Sequence, residues 1–280
     1  AWGTMLQQRG LKPGTCPELM CIELPEVVYG LARDYIEAGS NMVETNSFGG
    51  NKYKLDHYGL GERVDELNEE AAKLSRRAAG DDNWVLGSMG PTGKMIVMGD
   101  ITEEDFYTAF KEQAAALDRG GADAVIVETM SSTDEAVQGV KAVSENTGLD
   151  IICSFTFEQT VRGDFRTMMG VSPKQAAEAG AGAGAHMLGI NCGNGYDGLE
   201  NVLREMHETA PELPILIQPN AGIPTTVNGV DVFQATPEEM AERVQLWIKS
   251  GARIIGGCCG TTPEHIKAIR RALDTYGNSV

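Results

Sequence analysis

Short runs of β-branched and aliphatic residues alternate with longer stretches of helical periodicity from residue 24 to residue 273. The short runs predict seven strands, at Met42–Thr45, Val85–Ser88, Ala124–Glu128, Ile151–Phe157, Met187–Asn191, Ile215–Gln218 and Arg253–Gly256. Several are near-continuous Val/Ile/Leu, the pattern expected where both faces of a parallel sheet are covered. The amphipathic stretches predict eight helices, at Pro25–Ala38, Val64–Ala79, Glu103–Arg119, Thr133–Asn146, Pro173–Ala183, Gly198–Glu208, Pro237–Ser250 and Pro263–Tyr276. Four of them open on proline, whose fixed φ and missing N–H suit the first helical turn. Several leave through glycine, as at Ala38-Gly39 and Ser250-Gly251, the left-handed exit that returns a chain to its sheet.

Eight helices against seven strands leave one position empty in a regular β/α count. The expected fold is an α/β (β/α)8 TIM barrel, one domain over residues 1–280, with its first strand expected before Ala1 and missing from the chain. A doubly wound open sheet is the alternative, but no G-x-G-x-x-G follows a first strand. The glycine–alanine alternation from Ala179 to Gly184 precedes a strand instead of following one. It therefore reads as close helix packing and a helix exit, not as a phosphate cradle.

Charge narrows the partners. The chain carries 23 Lys+Arg against 40 Asp+Glu, a net of −17, and such a surface repels phosphate backbones and anionic lipid alike. No apolar run is long enough to span a bilayer and no secretory signal opens the chain, so the expectation is a cytoplasmic protein that binds neither nucleic acid nor membrane. Six cysteines in 280 residues are too sparse for a disulfide scaffold, and they read as buried small residues or as ligands.

In a parallel barrel the chemistry lies at the carboxyl ends of the strands. There the sequence places Glu44-Thr45-Asn46-Ser47-Phe48, Gly90-Pro91-Thr92-Gly93, Glu128-Thr129, Asn191-Cys192-Gly193, Gln218-Pro219-Asn220-Ala221-Gly222 and Gly257-Cys258-Cys259-Gly260-Thr261-Thr262. Cys192 and the Cys258-Cys259 pair fall on strands two positions apart around the barrel, close enough to converge. Successive side chains alternate across a strand, so both members of the pair aim the same way only at a turn, which Gly256-Gly257 and Gly260 permit. Three convergent thiolates repel unless a cation holds them; Zn²⁺ accepts sulfur readily, and three protein ligands leave its fourth position open to an exogenous thiol. Cys192 taken alone reads first as a small buried residue at a strand end, whereas packing explains a vicinal pair framed by glycines poorly. Cys16, Cys21 and Cys153 read as structural, and the four histidines lie on helical or surface segments. Glu128 ends an apolar strand and is a candidate for an ammonium group or simply a solvated acid. Asn46 and Asn220 are candidates for polar substrate contacts and equally for turn formation.

The stretch Gly256-Gly257-Cys258-Cys259-Gly260-Thr261-Thr262-Pro263-Glu264-His265-Ile266, with Asn191-Cys192-Gly193, Pro219-Asn220-Ala221-Gly222 and Glu44-Thr45-Asn46-Ser47-Phe48, resembles the homocysteine S-methyltransferase family. The likeness covers essentially the whole chain. Within the family, the TNSFGGN and GPTG segments are most similar to the homocysteine-binding barrel of cobalamin-dependent methionine synthase and its corrinoid-linked relatives. The resemblance implies a Zn²⁺ held by Cys192, Cys258 and Cys259 with the sulfur of homocysteine as fourth ligand, and methylation of that sulfur to give methionine. It also implies that Glu128 contacts the substrate amino group and that the backbone at Ala1 and Trp2 receives its carboxylate. The Asp-Gly that the family places before this alanine is absent from the chain. No D-x-H-x-x-G cobalamin loop occurs, so methylcobalamin or another corrinoid is expected on a partner domain or protein. Betaine or S-methylmethionine as donor, another thiol as acceptor, and a non-catalytic zinc- or thiol-binding role in a corrinoid assembly are the alternatives.

Overall fold

The computed structural model describes residues 1–227 and 230–277. Seven parallel strands form one curled sheet in chain order: β1 (Met42–Glu44), β2 (Trp84–Met89), β3 (Ala124–Met130), β4 (Asp150–Phe155), β5 (Met187–Cys192), β6 (Ile215–Pro219) and β7 (Ala252–Ile255). The long helices alternate with them: Pro25–Glu37, Val64–Ala79, Glu103–Arg119, Thr133–Asn146, Pro173–Ala183, Leu199–Thr209, Pro237–Lys249 and Pro263–Gly277. Three of these starts are set by reciprocal capping boxes, Thr102 with Asp105, Ser172 with Gln175, and Thr236 with Glu239, each satisfying two N–H groups that a helix terminus otherwise leaves unpaired. The Ala/Gly stretch is the helix exit expected of it. Gly184 takes the left-handed conformation at φ 94°, and a Cβ on Gly180 would stand 2.8 Å from Leu188 of β5.

Strand alternation divides the core into two. Outward-facing Val43, Val85, Val125, Val127, Cys153, Leu188, Ile190, Ile215 and Ile217 pack under the helices. Inward-facing Leu86, Ala124, Ile126, Ile152 and Leu216 meet one another inside the curl, joined by Met42, Met187 and Ile254. The next inward position toward the carboxyl end is polar on five strands, Glu44, Ser88, Glu128, Ser154 and Gln218; on β5 it is Gly189, with Asn191 one step further, and beyond β7 it is Gly256. A polar storey thus stands on an apolar one, and it forms the floor of the mouth.

The edges β1 and β7 are not hydrogen bonded to each other. A cavity of about 300 Å³ separates them, lined by Met42, Glu44, Ile254, Gly256, Ala1 and Trp2 among others, at the position that the β/α count leaves for an eighth strand.

Several elements were not expected. The helices Trp2–Gln8, Met20–Glu23 and Lys52–Asp56 are too short for a periodic signal to emerge, although Asn51 caps the last of them by accepting from the Lys54 N–H at 3.1 Å. The strand expected to reach Phe157 stops at Phe155, because the chain turns there into a ribbon of Glu158–Gln159 against Phe165–Arg166. A second ribbon, Thr225–Val227 with Val230–Val232, follows β6. Both occupy loops on the mouth side. Among the described residues, no helix is long and apolar enough to cross a membrane.

Ile126 is fully buried in the inner layer. Ile126→Ala is expected to cost about 2–5 kcal/mol in urea denaturation, whereas Val161→Ala, on an exposed ribbon tip, should stay within about 0.5 kcal/mol.

Candidate thiol cluster and its carboxylate neighbours

The sulfur cluster is built by two turns. Cys192, the last residue of β5, adopts φ 64° and Gly193 follows at 78°, so the chain reverses its curl just beyond the strand. Glycine is required at the second position, since a Cβ there would lie 2.6 Å from the Phe157 carbonyl oxygen. Beyond β7, the Cys258 N–H donates to the Pro219 carbonyl at 2.8 Å, and the Cys259 carbonyl accepts from the Ala221 N–H at 2.9 Å. The β7 loop is thereby tied to the β6 loop on both sides of the cysteine pair. Gly257 has no room for a side chain beside Thr261, and Gly260 turns the chain at φ 77°. With these constraints the three Sγ atoms of Cys192, Cys258 and Cys259 lie within 4.8 Å of one another.

Asn220 bridges the two turns. Its Nδ2 donates to the Gly193 carbonyl at 2.6 Å and approaches the Cys192 sulfur at 3.7 Å, while its Oδ1 accepts from the Cys259 N–H at 3.0 Å. A carbonyl partner at one end and an N–H partner at the other leave a single orientation of the amide. His265 fastens the far end of the same loop. The Thr262 N–H can only donate, so Nδ1, 3.1 Å away, is the acceptor, and Nε2 carries the proton to the Ala235 carbonyl at 2.8 Å. His265, on the first turn of the last helix as its segment led one to expect, is 6% exposed and acts as a buried brace.

Hydrogen bonds from Cys258 and then Cys259 pull the Cys192 thiol down to about 3. The same bonds push Cys258 and Cys259 up, since a thiol donating to a thiolate resists losing its proton.

The polar storey flanks the sulfurs. A register shift between Val127 and Met130, with Thr129 at φ 59°, bulges β3 at Glu128. Glu128 is 5% exposed and accepts from the Ser88 hydroxyl and from Asn191 Nδ2, the latter at 3.2 Å. Asn191 is itself saturated. Its Oδ1 accepts from the Thr129 N–H at 2.9 Å and the Ser154 hydroxyl at 2.7 Å, and its Nδ2 also reaches Thr129 Oγ1 at 2.7 Å. Burial, and next the charge of Glu44, raise the Glu128 carboxyl well above the usual carboxylate range. Across the cavity Glu44 Oε1 accepts from Gln218 Nε2 at 2.7 Å, and burial raises this carboxyl as well.

The residues singled out in the sequence divide as follows. Cys192, Cys258, Cys259 and Asn220 form one cluster, and Glu128 sits in the storey beside it. Ala1 and Trp2 open the helix Trp2–Gln8 and line the cavity with Glu44, while the Ala1 nitrogen interacts electrostatically with Cys258, Glu44 and Glu128. Asn46 spends its amide elsewhere, donating to the Pro17 carbonyl at 2.8 Å and contacting the Cys21 sulfur at 3.6 Å. Cys16, Cys21 and Cys153 are buried. Asn191, Glu44 and His265 were not singled out. The two-residue step from Leu86 to Ser88 and from Ile126 to Glu128 also runs from Met42 to Glu44, and that spacing was the available signal.

A parallel barrel with three convergent cysteines and a buried carboxylate at the mouth defines the class. The chain belongs to the homocysteine S-methyltransferase family, whose pattern it matches over residues 1–273. It is 32% identical over 291 residues to a methionine synthase from Mycobacterium leprae (strain TN), and 32% identical over 293 residues to one from Mycobacterium tuberculosis (strain ATCC 25618 / H37Rv). Each alignment takes in 98% of this chain but 24% of the relative, so the chain spans about a quarter of their length. The metallated form of the homocysteine methyltransferase MmuM from Escherichia coli superposes with a TM-score of 0.78 at 25% identity, covering 97% of this chain and 93% of that one. A methyltransferase from Methanosarcina mazei, at 13% identity and a TM-score of 0.58, shares the fold alone.

His265→Ala strands the Thr262 N–H and the Ala235 carbonyl. The expected cost is about 1–3 kcal/mol of stability, with faster hydrogen exchange concentrated at residues 258–262; exchange unchanged there would show that the brace holds nothing.

Proposed function

We propose that this domain, residues 1–280, is a zinc-dependent methyltransferase that methylates homocysteine to methionine, with the methyl group supplied by a methylcorrinoid on a partner domain or protein. The observation that carries this reading is the convergence of three cysteine sulfurs within 4.8 Å at the carboxyl ends of β5 and β7. Tetrahedral Zn²⁺ with bonds of ~2.3 Å needs sulfurs roughly 3.8 Å apart, so Cys192, Cys258 and Cys259 fit the ion with small adjustments. Soft thiolate donors suit zinc over magnesium or calcium. Bound there, the ion supplies one chemical service, holding an incoming thiol as its thiolate at neutral pH.

The protein's own residues do the rest. Asn220 and the paired turns keep the three sulfurs aimed at one point, which removes the need to reorganise when the substrate arrives. Glu128, carried by the bulge and oriented by Asn191 and Ser88, faces the amino group, and Ala1 and Trp2 lie where the amino-acid end enters. Asn46 ties the loop after β1 to Pro17 and Cys21. No side chain acts as general acid or base, because the nucleophile is already deprotonated. The corrinoid reading is supported by the likeness of TNSFGGN and GPTG to the cobalamin-dependent branch and by the 32% identity to methionine synthases. A small donor such as betaine or S-methylmethionine, which needs no partner domain, is the second reading, in line with the 93% of the homocysteine methyltransferase MmuM chain that a single domain of this length covers. The net charge of −17 and the six free cysteines suit a reducing cytoplasmic setting without nucleic acid or membrane as partner.

Zinc stoichiometry is the first test. Cys258→Ala and Cys259→Ala are expected to lose zinc and methyl transfer together while keeping a native circular dichroism spectrum, and one zinc per chain retained by both would refute the assignment. Removal of metal by a chelator should abolish turnover, and Zn²⁺ should restore it. Glu128→Gln should keep its zinc but bind homocysteine about 10- to 100-fold more weakly, the loss of roughly 1.5–3 kcal/mol expected of a hydrogen bond to a charged group. Turnover with free methylcobalamin, set against betaine and S-methylmethionine, decides the donor.

A further inference from the structure

The three sulfurs of the cluster are not equivalent. Cys258 and Cys259 stand side by side on the β7 loop, and the hydrogen bonds that act on their sulfurs come from the other thiols. Cys192 ends β5, and its sulfur also meets the Asn220 amide, with Nδ2 at 3.7 Å. The rest of that amide is spent, since Nδ2 donates to the Gly193 carbonyl at 2.6 Å and Oδ1 accepts from the Cys259 N–H at 3.0 Å. An inverted amide would set its oxygen against the Gly193 carbonyl and its NH2 against the Cys259 N–H, so the NH2 is the end that faces the sulfur. Asn220 is buried, which shields these bonds from the competition of water.

A bound cation changes the balance. All three cysteines then give up their protons and the thiol-to-thiol bonds disappear, whereas the bond from Nδ2 to Cys192 strengthens because its acceptor has become an anion. Three thiolates on a divalent ion carry one net negative charge, and a fourth thiolate adds a second. Such a site attracts its last sulfur weakly unless charge is drawn off the first three. We propose that Asn220 does this: by donating to the Cys192 thiolate it weakens that one metal–sulfur bond and leaves the metal a stronger acceptor for the incoming thiol. In this role Asn220 is a positioning residue that acts through Cys192. The inference rests on the zinc reading and deepens it, since the three ligands then do different work. Cys258 and Cys259 hold the ion, and Cys192 with its donor sets how strongly the fourth position binds. A brace without electronic effect would hold the loops and leave the three sulfurs alike.

The test loads the chain with Co²⁺ in place of zinc, because the sulfur-to-cobalt absorption band reports the charge on the sulfurs and the ligand-field bands report their geometry. Asn220→Asp keeps an oxygen for the Cys259 N–H and removes the donor, and Asn220→Ala removes both. Each is expected to retain one Co²⁺ per chain, to move the sulfur-to-cobalt band to longer wavelength, and to bind homocysteine and 2-mercaptoethanol more weakly by the same factor, about 10- to 100-fold. The ligand-field bands of Asn220→Asp should stay in place. His265→Ala loosens the same loop without touching a sulfur, and its sulfur-to-cobalt band should match the wild type. An unmoved band in both Asn220 variants, an equal shift in His265→Ala, or unchanged thiol affinity would each overturn the inference. A loss confined to homocysteine would make Asn220 a contact to the amino-acid end, and loss of Co²⁺ from both Asn220 variants would make it a brace alone; either result overturns the inference as well. Failure of the readings beneath it shows in the wild type. A wild type that takes up neither Co²⁺ nor Zn²⁺ ends the zinc reading and the inference with it; one that takes up Co²⁺ but ignores homocysteine ends the homocysteine reading, and the 2-mercaptoethanol series still decides the role of Asn220.

Discussion

Three sulfur atoms are held within 4.8 Å of one another by loops from strands that are not neighbours, and the surrounding mouth is organised to sustain that crowding. Backbone strain is part of the cost. Cys192 and Thr129 both occupy the left-handed region without being glycine, each at on the order of 1–3 kcal/mol. The bonds that offset it come from Asn220 between Gly193 and Cys259, the Pro219 carbonyl on Cys258, and His265 between Thr262 and Ala235. A site assembled in this way is stiff before any ligand reaches it, which is what positioning a thiol requires.

The barrel supplies the second condition through the period of two along a strand. An apolar layer of Leu86, Ile126, Ile152 and Leu216 fills the inside of the curl, and one step further up the same faces become Ser88, Glu128, Ser154 and Gln218. Those polar groups stand on an apolar floor. Their hydrogen bonds are consequently made to one another, and burial acts strongly on Glu128 and Glu44. The same low-dielectric floor that penalises a lone carboxylate strengthens its attraction for a charged substrate group.

The residues by which the sequence resembles the family are also those that build the mouth. Gly257, Gly260 and Gly193 stand where a Cβ would meet Thr261, Phe233 and the Phe157 carbonyl, so their presence follows from packing. The Thr262-Pro263-Glu264-His265 run that follows the cysteine pair starts the last helix and at the same time locks the sulfur-bearing loop to the segment at Ala235. Motif and scaffold are one object at this end of the barrel.

Much of this was legible in the amino-acid sequence. The alternation of strand and helix signals placed the seven strands and eight long helices within a few residues of their ends, because covered parallel strands and amphipathic helices each leave a strong periodic trace. The spacing of Cys192 from Cys258 and Cys259 placed them two strands apart, and the flanking glycines announced a turn. Tertiary structure decided what periodicity does not encode. It set Asn220 as the bridge between two sulfur turns, the turn-forming role for which it was also a candidate, directed the amide of Asn46 to Pro17, and buried His265 as a brace. It also revealed Asn191 and Glu44 in the polar storey, because which partner a side chain meets across a barrel depends on strand register and curl. The sequence by itself determined the order of elements and the identity of the reactive side chains, since both are written in local pattern and composition. Which polar atoms remain free to meet a ligand was settled only by the closure of distant strands around a common mouth.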